Sequence, residues 1–146
     1  MRIAVWIHVL WMLAAVAVGM WTGYLGLIRA TLKGGKSFLP GRYTLRSHKW
    51  TGIVFYAMLY AGILYAILMV RAVFGGAAEG FWAWHESLAL AIGAIYLPGM
   101  ILGIHMLYRL AGLRRTRPII HMAFNFTGCA LIAVQIVLAA FAIGWV

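Results

Sequence analysis

The chain has 146 residues, of which 66% are hydrophobic, and its twelve lysines and arginines outnumber two acids, Glu79 and Glu86, for a formal net charge of +10. That composition excludes an ordinary soluble enzyme and places the chain among integral membrane proteins. A charge of this sign on a soluble domain would point to nucleic acid; here the cations fall in short connections between apolar stretches, so they set membrane orientation and no nucleic-acid partner is expected.

Crossing a hydrocarbon core takes about 20 apolar residues, and the sequence predicts four such stretches, at about 3–28, 50–70, 82–107 and 119–145. The expected fold is all-α, an integral membrane four-helix bundle of up-down topology, with residues 1–146 forming one transmembrane domain. The first stretch opens with Met1-Arg2 and passes Ala15-Val16-Ala17, a faint likeness to a cleavable export signal. Its apolar run continues to Ile28, longer than a signal core, so a retained helix is expected; it carries His8.

The connection at about 29–47 contains Gly34-Gly35 and Pro40-Gly41, which read as turns. With its flanks it holds Arg29, Lys33, Lys36, Arg42, Arg46 and Lys49, and His48 stands where the second stretch begins. A short connection from Gly75 to Gly80 leads into the third stretch, which opens near His85 and closes near His105. Arg109, Arg114, Arg115 and Arg117 then precede His121 at the start of the fourth, which also carries Asn125, Cys129 and Gln135. Only Arg2 and Arg71 lie on the opposite side, so the basic connections are expected in the cytoplasm and both termini outside, in a bacterial-type inner membrane. A lone Cys129 permits neither an internal disulfide nor covalent haem attachment through paired cysteines.

Ionisable side chains inside a bilayer are costly and mark function, which makes the histidines the residues to explain. In an up-down arrangement, His8 and His85 share an outer layer, and His48 and His121 an inner one. Two imidazoles at matched depth are what six-coordinate haem iron requires, one for each face of the macrocycle. Arg46, Lys49, Arg109 and Arg117 surround the inner layer and are placed to neutralise haem propionates. The outer layer has Arg2, Arg71 and the two acids, so the inner site is the better supported.

Helical phase gives an independent view, because positions at +4, +7, +11, +14 and +18 share a residue's face. From His8 the stripe reads Met12, Ala15, Gly19, Thr22, Gly26; from His85 it reads Ala89, Ile92, Tyr96, Gly99, Gly103. From His48 it reads Gly52, Phe55, Leu59, Gly62, Ala66, and from His121 it reads Asn125, Gly128, Ile132, Gln135. The amides of Asn125 and Gln135 would be unsatisfied in lipid, so His121's face is expected to point inward. The glycines either leave room for a macrocycle or serve ordinary close packing of membrane helices. His105 lies twenty residues beyond His85, roughly 200° around the helix and about 30 Å along it. It cannot share His85's face, and three roles stay open for it: replacing His48 or His121 as ligand, bonding a propionate, or binding a quinone.

The segments Arg46-Ser47-His48-Lys49-Trp50-Thr51-Gly52, His85 at the head of the third stretch, and Arg117-Pro118-Ile119-Ile120-His121 with Gln135 beyond it resemble the cytochrome b561 superfamily, and within it short four-helix membrane proteins. The likeness covers roughly residues 42–140. It implies two b haems, held by His48 with His121 and by His8 with His85, and electron transfer between a quinol or small reductant and an acceptor such as a partner redox protein. The sequence around His8 carries no family motif, so the resemblance implies the outer haem less directly. It also implies a larger membrane complex or redox partner, because the chain has no visible flavin, nicotinamide or iron–sulfur module.

Two other functions compete with a b-type cytochrome in which Asn125 tunes the inner iron and nearby arginines raise its potential. One is a haem-free structural or anchoring subunit, whose Trp6, Trp11, Trp50, Trp82, Trp84 and Trp145 form an interfacial belt. The other is a small transporter with histidine proton relays, which the scarcity of charge within the spans and the lack of a broken-helix ion site disfavour. The small face of Gly19, Gly23 and Gly26 also suits a homodimer.

Overall fold

In the computed structural model the described residues are 2–32, 38–74, 80–108 and 116–143, and they form four helices: α1 Arg2–Ala30, α2 Leu45–Phe74, α3 Phe81–Tyr108 and α4 Thr116–Ile143. Lys33, Gly34, Gly35, Lys36, Gly75, Glu79, Arg109, Arg114, Arg115 and Trp145 lie outside the described residues. Each helix contains a segment long and apolar enough to cross a bilayer: Ile3–Ala30, Leu45–Ala72, Trp82–Tyr108 and Arg117–Phe141. A helix satisfies every interior backbone group within itself, which is why such segments are stable in lipid. The chain is therefore an integral membrane protein of the all-α, four-helix class.

The helices outrun the apolar stretches that announce them. α2 starts at Leu45 rather than about 50 because Thr44 caps it: its Oγ1 accepts the Ser47 amide at 3.1 Å and its carbonyl accepts the His48 amide at 3.1 Å. His48 consequently sits inside the first turn of the helix, not ahead of it. α4 starts at Thr116, and Pro118 is tolerated in its opening turn, where a missing N–H costs nothing. Gly80, at φ +58°, leads into α3, its carbonyl accepting the Ala83 amide at 3.2 Å.

The chain divides into two compact units, Met1–Tyr65 and Ala66–Val146, the boundary falling within α2. In the first, α1 and α2 run antiparallel. Ala4 carbonyl meets Tyr65 hydroxyl at 3.2 Å, the Trp11 indole donates to Met58 carbonyl at 2.8 Å, and Thr22 carbonyl meets His48, so partners descend along one helix as they climb the other. In the second, α3 and α4 are antiparallel by the same test, His85 meeting Gln135 and Gly99 meeting His121. The chain thus folds as two helical hairpins, each with a loop end near the second helix's start and an open end opposite.

The glycines work as sockets for neighbouring side chains. A Cβ on Gly19 would lie 2.6 Å from the Phe55 ring, one on Gly62 would collide with Met12 and Trp11, and one on Gly128 would collide with the Tyr96 ring. At these three positions the close-packing reading holds. Large apolar side chains such as Ile3, Leu10, Met20, Leu64, Trp84 and Ile101 are exposed, the surface a lipid-facing protein requires.

Candidate functional site

The stripes that share the histidines' faces are the buried ones. Of the eight buried hydrophobic residues among those described, six (Ala15, Phe55, Leu59, Ile92, Tyr96 and Ile132) stand on them. His8, His48, His85, His105 and His121 are all partly buried.

At the loop end of the first hairpin, His48 Nδ1 lies 3.2 Å from the carbonyl oxygen of Thr22 on α1. A carbonyl only accepts, so Nδ1 carries the proton and the lone pair resides on Nε2. Thr22 keeps its own hydroxyl on the Val18 carbonyl at 2.9 Å, and one turn further on Gly26 makes way for the ring: a Cβ there would stand 3.5 Å from His48 Cε1. The described residues Pro40 and Tyr43 meet α1 and α2 at this end. Tyr43 sets its ring 5.9 Å from that of His48, Arg29 lies over Tyr43 at 5.2 Å and donates to its hydroxyl at 3.3 Å, and the Tyr24 hydroxyl donates to the Pro40 carbonyl.

The loop end of the second hairpin repeats the arrangement. His121 Nδ1 donates to the Gly99 carbonyl on α3 at 2.7 Å, and a Cβ on Gly103, one turn on, would stand 3.0 Å from His121 Cε1. The lone pair is again on Nε2. Asn125, one turn along α4, donates to the His121 carbonyl at 2.7 Å and brings its amide nitrogen to 3.4 Å from Nδ1. The Nδ1 proton already points at Gly99, so this second approach is a contact rather than a bond.

The open ends differ. His8 stacks on Tyr65, centroids 6.2 Å apart and planes within 14°. His85 is held by Gln135, whose amide nitrogen donates to the His85 carbonyl at 2.8 Å and lies 3.0 Å from His85 Nδ1; Trp82 packs edge-on to the ring at 6.1 Å. His105 receives a bond from Arg117 Nη1 to its Nε2 at 3.0 Å, and a guanidinium only donates, so that lone pair is in use. Arg46 is exposed on the first turn of α2, and Lys49 places its ammonium 5.8 Å from the centre of the Trp50 ring.

Sequence reasoning found the imidazoles and their faces but missed the groups that seat them. The Thr22 and Gly99 carbonyls carry no side-chain signature, and although Gln135 was expected to point inward, its pairing with His85 and that of Tyr43 with His48 were not foreseen. The visible traces were Thr22 with Gly26 on the stripe from His8, Gly99 with Gly103 on the stripe from His85, and the inward amide of Gln135. Among the described residues no three His, Cys, Asp or Glu side chains converge to hold a metal ion. Each seated imidazole instead keeps one ring nitrogen with its lone pair, the donor that histidine offers to a metal or a haem iron. No protein-family model matches the chain, and no curated protein or solved structure is significantly similar to it. What fold and site define is a class: a four-helix integral membrane protein with one imidazole seated alike at the loop end of each hairpin.

Proposed function

We propose that the chain is a membrane b-type cytochrome that passes single electrons within or across the membrane, with His48 and His121 as the residues that would hold haem b. One observation carries the reading. Both imidazoles donate Nδ1–H to a backbone carbonyl of the partner helix, at 3.2 and 2.7 Å, and so present Nε2 in the form that binds iron. Histidines that ligate metals generally give their second nitrogen to such an acceptor, which fixes ring orientation and raises ligand basicity. Bound haem supplies a one-electron iron couple, and the protein supplies ligation, burial and charge.

The residues' own tasks follow from their contacts. Thr22 and Gly99 orient the rings, Gly26 and Gly103 give them space, and Asn125 places an amide dipole beside His121. Tyr43 and Arg29 cover His48, and Arg46 and Lys49 supply positive charge near the same helix start for propionates. His105 spends Nε2 on Arg117 and so serves as a support for that cation rather than as an iron ligand. The reading includes a quinol or small reductant as donor, a partner redox protein or larger membrane complex as acceptor, a homodimer as assembly, and an inner-membrane setting with the basic connections in the cytoplasm.

The test is the visible spectrum of the detergent-purified protein, oxidised and then reduced with dithionite. Sharp reduced bands of six-coordinate b haem are expected. Colourless protein from haem-replete cells would overturn the proposal in favour of an anchoring subunit.

A further inference from the structure

The two hairpins are related residue by residue. His8 and His85, Gly19 and Tyr96, Thr22 and Gly99, and Gly26 and Gly103 are each 77 residues apart; on the second helices His48 and His121, Phe55 and Gly128, and Gly62 and Gln135 are each 73 apart. The contacts follow the same offsets. The carbonyl of Thr22 or Gly99 takes the loop-end histidine, and the glycine one turn on faces its ring. Halfway along, Gly19 receives Phe55 in one hairpin while Tyr96 enters Gly128 in the other, the same large-and-small pair with its members exchanged between helices. Such agreement in sequence spacing and contact is what one hairpin used twice would leave.

The correspondence ends at the open end. Where the first hairpin has Gly62, which receives Met12 and Trp11, the second has Gln135, which reaches His85. Gln135's orientation is settled by chemistry: its 2.8 Å partner, the His85 carbonyl, only accepts, so the NH2 group must face it. The other amide proton points at His85 Nδ1, 3.0 Å away, which therefore holds the ring's lone pair. A neutral His85 then has its proton on Nε2. Turning the amide over would set oxygen against oxygen and lose the stronger bond. Gln135 instead leaves its own Oε1 buried with no hydrogen-bond partner among the described residues, an arrangement costly enough to need the double grip on His85.

We infer that the duplicated hairpins kept the loop-end histidine as an iron ligand and diverged at the open end, so that the protein holds a single haem and His85 acts there as a hydrogen-bond donor through Nε2. This rests on the proposed function and departs from the pair of haems that the sequence resemblance implies. His48 and His121 present a lone pair on Nε2; His85 presents a proton.

The test counts haem by pyridine haemochrome against protein in the full-length detergent-purified chain, for wild type and for His85→Ala, His85→Gln and His121→Ala. One haem per chain is expected, retained in both His85 variants with an unaltered spectrum and lost in His121→Ala. Two haems in wild type, falling to one in a folded His85 variant, would overturn the inference while leaving the cytochrome reading intact. Protein without pigment would overturn both. Nitrogen-15 imidazole NMR on protein with or without haem gives a second reading: the Nε2–H form of His85 is expected, relaxing toward a mixture in Gln135→Leu. The Nδ1–H form in wild type would overturn the inference even if both His85 variants failed to fold.

Discussion

At their loop ends the hairpins solve one problem in one way, each holding an imidazole by a backbone carbonyl with a glycine beneath the ring. At their open ends they diverge, His8 lying flat on Tyr65 while His85 is held by the Gln135 amide. The residue type is the same at all four places, and at His48, His121 and His85 the hydrogen-bond partner of Nδ1 decides the chemistry. A carbonyl there leaves Nε2 basic; an amide NH2 there makes Nε2 a donor. Counting histidines at matched depth cannot separate these cases, because the distinction lies in the neighbouring helix.

The comparison breaks most sharply at the loop-end histidines. His48→Ala and His121→Ala are each expected to abolish haem binding, read as loss of the reduced visible bands at unchanged membrane abundance. A variant that stayed fully loaded would remove its histidine from the pair.

The seats come next. Gly103→Leu places a branched side chain where a Cβ alone would already stand 3.0 Å from His121 Cε1, and displacing the ring from Gly99 is expected to weaken haem retention by about 10–100-fold. Gly26→Leu is expected to do less, since a Cβ there has 3.5 Å. Haem titration of the stripped proteins checks the order, and equal losses would contradict the difference between the seats.

A stability comparison separates sockets from open positions. Gly128→Ala forces a methyl into the Tyr96 ring and is expected to cost about 1–3 kcal/mol. Gly23→Ala, with nothing within 4 Å of a new Cβ, is expected to change stability by no more than about 0.5 kcal/mol. Denaturation in mixed micelles measures both. The smallest effect belongs to Asn125→Ala: haem content unchanged and a modest shift in midpoint potential, because the amide lies 3.4 Å from His121 Nδ1 without taking its proton. Potentiometric titration reads that shift.

The sequence made the broad architecture legible because lipid imposes simple rules: long apolar runs are helices, and polar residues within them point inward. The histidine stripes predicted burial well, as Phe55, Leu59, Ile92 and Tyr96 attest. Helix starts were less legible, since the Thr44 cap extends α2 beyond its apolar run and into the basic connection. The seats were hidden for a different reason. A bond such as that between Gln135 and His85, fifty residues apart, depends on how two helices are aligned lengthwise, and hydrophobic phase fixes rotation about an axis but not sliding along it.

The most direct test of the account is the near-infrared magnetic circular dichroism of the ferric protein, whose charge-transfer band reports the axial ligand pair. Bis-imidazole ligation that disappears in His121→Ala is the predicted result. A band belonging to histidine with methionine, a five-coordinate signature, or a wild-type spectrum that survives the loss of His121 would contradict it.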